Sequence, residues 1–377
     1  MNIIIFIGSI FLLLYALLLI YYSIAWHKLR LFEIETDYSK TVTSISIIIP
    51  ARNEAHHLPA LLQSLNEQSY PKEYFEVIVV DDFSTDDTAA IAATFPFVNC
   101  IQLKNFVEEG SINSYKKKAI EIGIAHSKGQ LIVTTDADCV VPKNWLQTIA
   151  SFYATHQPQL IVMPVSINCG LKAIEIFQAL DFMSLQGITA AAVHSNKMSM
   201  CNGANLAYTR KAFEAVNGFS GIDTIASGDD MLLMHKIASH FPDSIAYLKS
   251  KEVIVQTEPV NSITAFFNQR IRWASKADKY DDKRIFGVLL LVYGLNVMML
   301  ILFIASLINN SWAGVLLLFA AKTSMELFFL YPVASFFEKQ KLLWFFPLAQ
   351  PFHIIYTVIA GWLGKFGSYQ WKERKVK

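Results

Sequence analysis

Several apolar runs in this chain end in paired aspartates. Asp81-Asp82-Phe83-Ser84 follows Val77 to Val80, and Asp136-Ala137-Asp138 follows Leu131 to Thr134. A D-x-D at a strand end offers two carboxylates to one site. That hard-oxygen pair suits Mg²⁺ or Mn²⁺ holding a substrate's phosphates, although solvated loops carry the same pattern. Gly228-Asp229-Asp230 precedes Met231-Leu232-Leu233, so Asp230 is placed to cap a helix. Gln269, Arg272 and Trp273 fall within one turn at helical spacing. His56 and His57 lack the spacing of metal ligands. Cys100, Cys139, Cys169 and Cys201 form no C-x-x-C pair and read as reduced, mostly buried thiols.

The elements that position these residues alternate. Ser44 to Ile49 is a β-branched strand closed by Pro50, and a loop and helix follow from Asn53 through Leu65. Val77 to Val80 is a second strand, Thr85 to Ala93 a helix, and Leu131 to Thr134 a further strand. Strand alternating with helix predicts an α/β domain with a mainly parallel sheet flanked by helices. Ligands of such sheets bind beyond the carboxyl ends of the strands, where these polar residues fall. No G-x-G-x-x-G and no G-x-x-x-x-G-K-[ST] is present, which argues against a dinucleotide fold or a P-loop.

In chain order the sequence carries Pro50-Ala51-Arg52-Asn53-Glu54, Asp81-Asp82-Phe83-Ser84, Asp136-Ala137-Asp138, Gly228-Asp229-Asp230 and Gln269-Arg270-Ile271-Arg272-Trp273. From about Ser44 to Trp273 this series resembles family 2 glycosyltransferases of the GT-A fold. The Q-x-x-R-W element is similar to the membrane branch that includes cellulose, chitin and hyaluronan synthases and ceramide glucosyltransferase. The resemblance implies that Glu54, Asp81 and Asp82 hold the uridine of a UDP-sugar donor. It implies too that Asp136 and Asp138 handle ribose, metal and diphosphate. Lys116 matches a nucleotide-contacting lysine, though Tyr115 stands where a glycine is usual, and Lys116 to Lys118 also read as a solvated helix start. Asp230 aligns with the catalytic base of inverting transfer, in a Gly-Asp-Asp that replaces the commoner Gly-Glu-Asp. Arg272 would pair with the diphosphate and Trp273 would stack on a sugar ring. An amphipathic juxtamembrane helix with a belt tryptophan is the plainer reading. Asn202 and Gly203 fall in the region that faces the acceptor. Leu171 to Ser195, just before it, has helical periodicity and suits either a membrane-surface helix or an ordinary packing helix.

Composition sets the surroundings. The chain is 53% hydrophobic and 17% charged, against roughly 25% charged in soluble domains. Residues 2 to 26 lack Asp, Glu, Lys and Arg, as do 285 to 308. Each exceeds the roughly 20 residues that cross a bilayer. The segment 312 to 337 is a third apolar stretch, within which Lys322 and Glu326 sit four apart and are expected to pair. The fourth, 342 to 364, contains Pro347 and Pro351 and is expected to be re-entrant or interfacial. The first stretch lacks the basic n-region and cleavage site of a signal peptide and is expected to stay as an anchor. The net charge of +1 argues against nucleic-acid binding.

The expected organisation is therefore an N-terminal transmembrane helix (1–27), a GT-A domain (41–284) and a C-terminal membrane region with a basic tail (285–377). His27, Lys28 and Arg30 on one side and Lys283 and Arg284 on the other place the domain in the cytoplasm, at the cell's inner membrane. The expected activity is inverting, metal-dependent transfer from a UDP-sugar to a lipid or lipid-linked glycan acceptor. The rivals are a processive polysaccharide synthase, for which a homo-oligomer would complete a channel, and an inactive scaffold or sugar-binding subunit.

Overall fold

The computed structural model describes residues 2–34, 42–197, 200–276, 283–367, 369–371 and 374–376. Residue 41, and Lys372 and Lys377 of the basic tail, lie outside them. In chain order the elements are α1 (Asn2–Lys28), β1 (Ile45–Ala51), α2 (Leu58–Asn66), β2 (Phe75–Asp81), α3 (Thr88–Ala93), β3 (Val98–Gln102), α4 (Tyr115–Ala125) and β4 (Leu131–Thr134). Then come β5 (Cys139–Val140), α5 (Trp145–His156), β6 (Leu160–Val162), β7 (Val165–Ile167), α6 (Ala173–His194), β8 (Leu206–Thr209), α7 (Arg210–Ala215), α8 (Met231–His240), β9 (Ile245–Tyr247) and β10 (Val255–Thr257). The chain continues through α9 (Ile263–Ala274), α10 (Lys283–Asn309), α11 (Ala313–Phe336), α12 (Phe346–Phe366), β11 (Tyr369–Trp371) and β12 (Arg374–Val376). Two compact units result. One is built on the sheet (Leu29–Asn168 and Thr189–Glu258) and the other on helices (Met1–Lys28, Cys169–Ile188 and Pro259–Lys377).

The sheet unit holds a seven-stranded sheet in the order β3-β2-β1-β4-β8-β6-β9. Ile47, Ile48 and Ile49 of β1 and Ile78, Val79 and Val80 of β2 have no exposed surface. Continuous apolar runs of this kind form where helices cover both faces of a sheet. β1 continues through Pro50 to Ala51, and the Asp82 N–H closes the edge on the Ala51 carbonyl at 2.7 Å. The parallel pairs are β3 with β2, β2 with β1, β1 with β4, and β6 with β9. β8 runs antiparallel to both β4 and β6. Four of the six pairings are parallel, so the sheet is mainly parallel as expected but mixed, with β8 alone reversed. The reversal has a positional effect: β8 begins where β4 ends, with Thr134 opposite Leu206. The loop before β8 therefore shares an edge with the loops after β1, β2 and β4. A small second sheet, β5-β10-β7, begins directly after Asp138.

The helical unit contains α1, most of α6, and α9 to α12. Leu12, Leu295, Met299, Leu302, Val315, Leu318 and Ile354 form one core. Phe177, Phe266, Ile271, Tyr356 and Ala360 form another. Leu13, Leu17, Ile301, Ile308, Leu317 and Phe328 point outward and are exposed. Helices apolar on all sides occur in the core of a large protein or across a membrane. α1, α10, α11 and the segment 340–366 are long and apolar enough to cross a membrane. α6 is too, but 83% of its most apolar window is buried, against 22–39% for the others, so it packs as an internal helix. Pro347 and Pro351 fall in the first two turns of α12 and do not break it. Lys322 and Glu326 do pair, at 2.7 Å, and Gln350 and the Tyr15 hydroxyl complete their hydrogen bonding. That completeness is what burying both charges requires.

Candidate active site

The loops after β1 and β2 are knitted together. Arg52, 8% exposed, donates from Nη1 to the carbonyls of Asp82 at 2.9 Å and Phe83 at 3.1 Å. Asn53 accepts from the Thr85 N–H at 2.8 Å, and its own N–H donates to Ser84 Oγ at 3.0 Å. The Glu54 N–H donates to Thr88 Oγ1 at 2.8 Å. Asn53 and Phe83 both hold left-handed backbone, with φ of 52° and 54°. Asparagine tolerates that conformation, whereas for phenylalanine it is a strained geometry of the kind found at functional sites. Asp81 and Asp82 are buried, and Asp81 Oδ1 has no hydrogen-bond partner among the described residues. Glu54 Oε2 lies 3.1 Å from His57 Nδ1.

Beyond β4, Asp136 and Asp138 are half-exposed and flank the buried Ala137. Lys116, at the start of α4, reaches Asp136 Oδ1 at 2.7 Å and Asp229 Oδ2 at 3.1 Å. Burial works against its charge. Asp136 and Asp229, with Asp230 beyond them, nevertheless hold the ammonium's pKa above the usual lysine range. The lysine run is therefore not simply solvated: Lys116 joins the D-x-D to the Gly-Asp-Asp, and Lys118 pairs locally with Glu121. Cys139 is buried beside Asp138, and burial together with the Asp138 and Asp136 charges pushes its thiol pKa up. All four cysteines are free.

Asp230 caps α8, its Oδ1 accepting from the Met231 N–H at 2.7 Å, and its Oδ2 accepts from the Gly203 N–H at 3.2 Å. The helix-capping reading of Asp230 is therefore met. Gly203 stands where backbone meets carboxylates: a Cβ there would lie 3.0 Å from Asp229 Oδ2 and 3.4 Å from Lys116 Nζ. Asn202 Oδ1 accepts from the Ala204 N–H at 3.0 Å, and Thr134 Oγ1 donates to the Gly203 carbonyl at 3.0 Å. Asn205, fully buried, anchors the segment. It accepts from Trp145 Nε1 at 3.0 Å and donates to the carbonyls of Pro164 and Val253, both at 2.7 Å. The sheet unit accordingly gathers Lys116, Asp136, Gly203, Asp229 and Asp230 into one cluster.

Gln269, Arg272 and Trp273 lie on α9, in the helical unit. The buried arginine of α9 is Arg270, which the motif leaves unspecified. It pairs with Asp181 Oδ2 at 2.7 Å, and Tyr356 donates to the other Asp181 oxygen at 2.5 Å. Its guanidinium lies 4.2 Å from the Trp273 ring centroid and 4.7 Å from that of Phe266. Arg52, Asp229, Asn205 and Arg270 went unassigned in the sequence. Arg52 and Asp229 were within reach of it, since both sit inside the motifs.

The half-exposed carboxylates Asp136 and Asp138, the first of them shared with Lys116, suit a divalent cation whose remaining ligands are phosphate and water oxygens. Among the described residues no group of three or more His, Cys, Asp and Glu side chains is placed to hold a metal by itself. The donor set thus fits a metal shared with a diphosphate rather than a closed protein cage.

A mixed sheet flanked by helices in this order is a GT-A-like fold. Residues 46–216 match the model of glycosyl transferase family 2. The chain is 34% identical over 109 residues to the glycosyltransferase AglE of Haloferax volcanii, covering 29% of this chain and 35% of that protein. It is 27% identical over 240 residues to the β-monoglucosyldiacylglycerol synthase of a Synechocystis strain, covering 61% and 47%. It therefore spans less than half the length of either relative. Among solved structures, the mannosyltransferase PcManGT of Pyrobaculum calidifontis, in complex with GDP-Man and Mn²⁺, superposes with a TM-score of 0.60. That likeness covers 95% of this chain and 98% of that one at 20% identity, and so speaks to the fold alone.

Proposed function

We propose that the protein is a membrane-anchored inverting glycosyltransferase that moves a sugar from a UDP-sugar to a lipid or lipid-linked acceptor with the help of Mg²⁺ or Mn²⁺. The observation that carries the reading is the convergence of Asp136, Lys116, Asp229, Asp230 and the Gly203 N–H at one sheet edge. The unpartnered Asp81 Oδ1 in the knitted loops suits a nucleobase or ribose donor group.

In this reading Glu54, Asp81 and Asp82 hold the nucleoside, and Asp136 and Asp138 hold the cation. The cation neutralises charge on the diphosphate leaving group. The acceptor hydroxyl oxygen bonds to the anomeric carbon as the bond from that carbon to the diphosphate oxygen breaks. Asp230 takes the hydroxyl proton. Two N–H groups aim its carboxylate, and a positioned base contributes roughly 10²–10⁴-fold. Lys116 ties the metal-holding strand end to the base-bearing loop. Gln269, Arg272 and Trp273 serve the diphosphate and acceptor, and Asn202 with Gly203 lines the acceptor side.

A lipid acceptor is supported by the helices long enough to span a membrane and by the likeness to a β-monoglucosyldiacylglycerol synthase. Basic residues at the C-terminal end of α1 and the N-terminal end of α10 support a cytoplasmic position for the domain. The test is incubation of membranes with labelled UDP-glucose, UDP-galactose, UDP-N-acetylglucosamine and GDP-mannose. Transfer from a UDP-sugar, abolished by EDTA and restored by Mn²⁺, is expected. Transfer from GDP-mannose alone, or transfer indifferent to EDTA, would overturn the donor or metal assignment.

A further inference from the structure

Lys117 has no part in that mechanism, yet it is buried to 1% exposure in the sheet unit. Its Nζ donates to three main-chain carbonyls of one loop: Ile222 at 2.7 Å, Ile225 at 2.5 Å and Ser227 at 2.9 Å. The loop leads straight into Gly228-Asp229-Asp230. It has few ladder bonds of its own, with left-handed backbone at Asn217, Gly218, Gly221 and Gly228 (φ 53°, 49°, 83° and 81°). Its carbonyls therefore look to side chains for donors. Ser114 Oγ donates to the Asp223 carbonyl. Lys236, from α8, donates to the carbonyls of Gly218 and Ser220, both at 2.7 Å.

Three carbonyl oxygens converging on one point repel each other unless a cation sits among them. An ammonium has three hydrogens to offer them. We propose that Ile222, Ile225 and Ser227 form a monovalent-cation cradle that the chain fills with its own Lys117, and that the filled cradle fixes the loop holding Asp229 and Asp230 for transfer. Lys117 is then a positioning residue. Its neighbour Lys116 grips Asp229 directly, so the first turn of α4 sets both the main chain and the carboxylate of this loop. The inference rests on Asp230 being the base.

The test uses the full-length protein in detergent, comparing wild type with Lys117→Ala, Lys117→Met and the control Lys236→Met. In Lys117→Ala, UDP release from the labelled UDP-sugar is expected to fall about tenfold or more in kcat, with Mn²⁺-dependent UDP affinity held within about threefold. Millimolar ethylammonium should restore kcat to Lys117→Ala but not to Lys117→Met, whose side chain blocks the cradle. Amide hydrogen exchange across 222–233 should rise in Lys117→Ala and fall again with ethylammonium. Wild-type kcat in Lys117→Ala, or exchange there that ethylammonium does not lower, would overturn the proposal. If wild type itself released no UDP, the glycosyltransferase reading would fail, while the exchange experiment would still decide the cradle.

Discussion

Asp138 and Asp230 both face the carboxyl edge of the sheet, but the proposed mechanism gives them separable tasks. Asp138→Ala is expected to abolish Mn²⁺-dependent UDP binding in a calorimetric titration. Asp230→Asn is expected to keep it and to lower transfer by about 10²-fold or more, because only the proton acceptor is gone. Equal loss of UDP binding in both variants would contradict that division. Gly203→Ala adds a Cβ 3.0 Å from Asp229 Oδ2. It should cut kcat by about tenfold while leaving thermal stability within roughly 0.5 kcal/mol, since the Asp229 carboxylate moves and the fold does not. Unchanged kcat would show that this close approach does not matter. At this scale the sequence was most readable where spacing alone places a group. Asp136, Asp138 and Asp230 sit at strand or helix ends, and Lys116 was flagged on its position. Lys117 was not, because nothing in a lysine run says which member turns inward to meet a loop a hundred residues later.

Among the elements, the strands at β1, β2 and β4 and the long apolar helices were legible from β-branched runs and charge-free stretches. The short strands β6, β8 and β9, of three or four residues each, were not, since so few residues carry no periodicity. β8 was the costly omission, because its antiparallel direction is what brings Asn202 and Gly203 to the site. Asn205 fixes that approach. Asn205→Ala would strand a buried indole N–H and two carbonyls, each worth about 1–3 kcal/mol. The melting temperature is expected to drop by several degrees, and a drop of under one degree would show that water replaces the side chain. α12 raises a different question. Its prolines do not break it, yet the basic tail is proposed to stay in the cytoplasm with α12 re-entrant or interfacial. Reporter fusions at Ser250 and Lys377 should both give cytoplasmic signals, and an external one at Lys377 would mean that α12 spans.

At the scale of the whole molecule, each unit has its own buried logic. The sheet unit gathers Lys116, Asp136, Asp229 and Asp230, the groups proposed for donor binding and acid-base chemistry, at one edge. The helical unit buries an ion pair, Lys322 with Glu326, within helices suited to lipid. The charge-free stretches pointed to α1 and α10 to α12, but the helical unit also takes in Cys169–Ile188 and the chain from Pro259, which the expected 41–284 domain had included. The sequence could not announce Arg270, buried between Phe266 and Trp273 and held by Asp181, because Asp181 lies on α6, far away in the chain. The central claim, sugar transfer onto a lipid by Asp230-dependent chemistry, is tested most directly by what the protein makes. Membranes carrying wild type or Asp230→Asn would be incubated with labelled UDP-sugar and Mn²⁺, then extracted with organic solvent. The expected result is label in the solvent phase as a discrete species that appears with wild type and is absent with Asp230→Asn. Label retained instead as high-molecular-weight material that a polysaccharide hydrolase releases, or a lipid product made equally by Asp230→Asn, would contradict it.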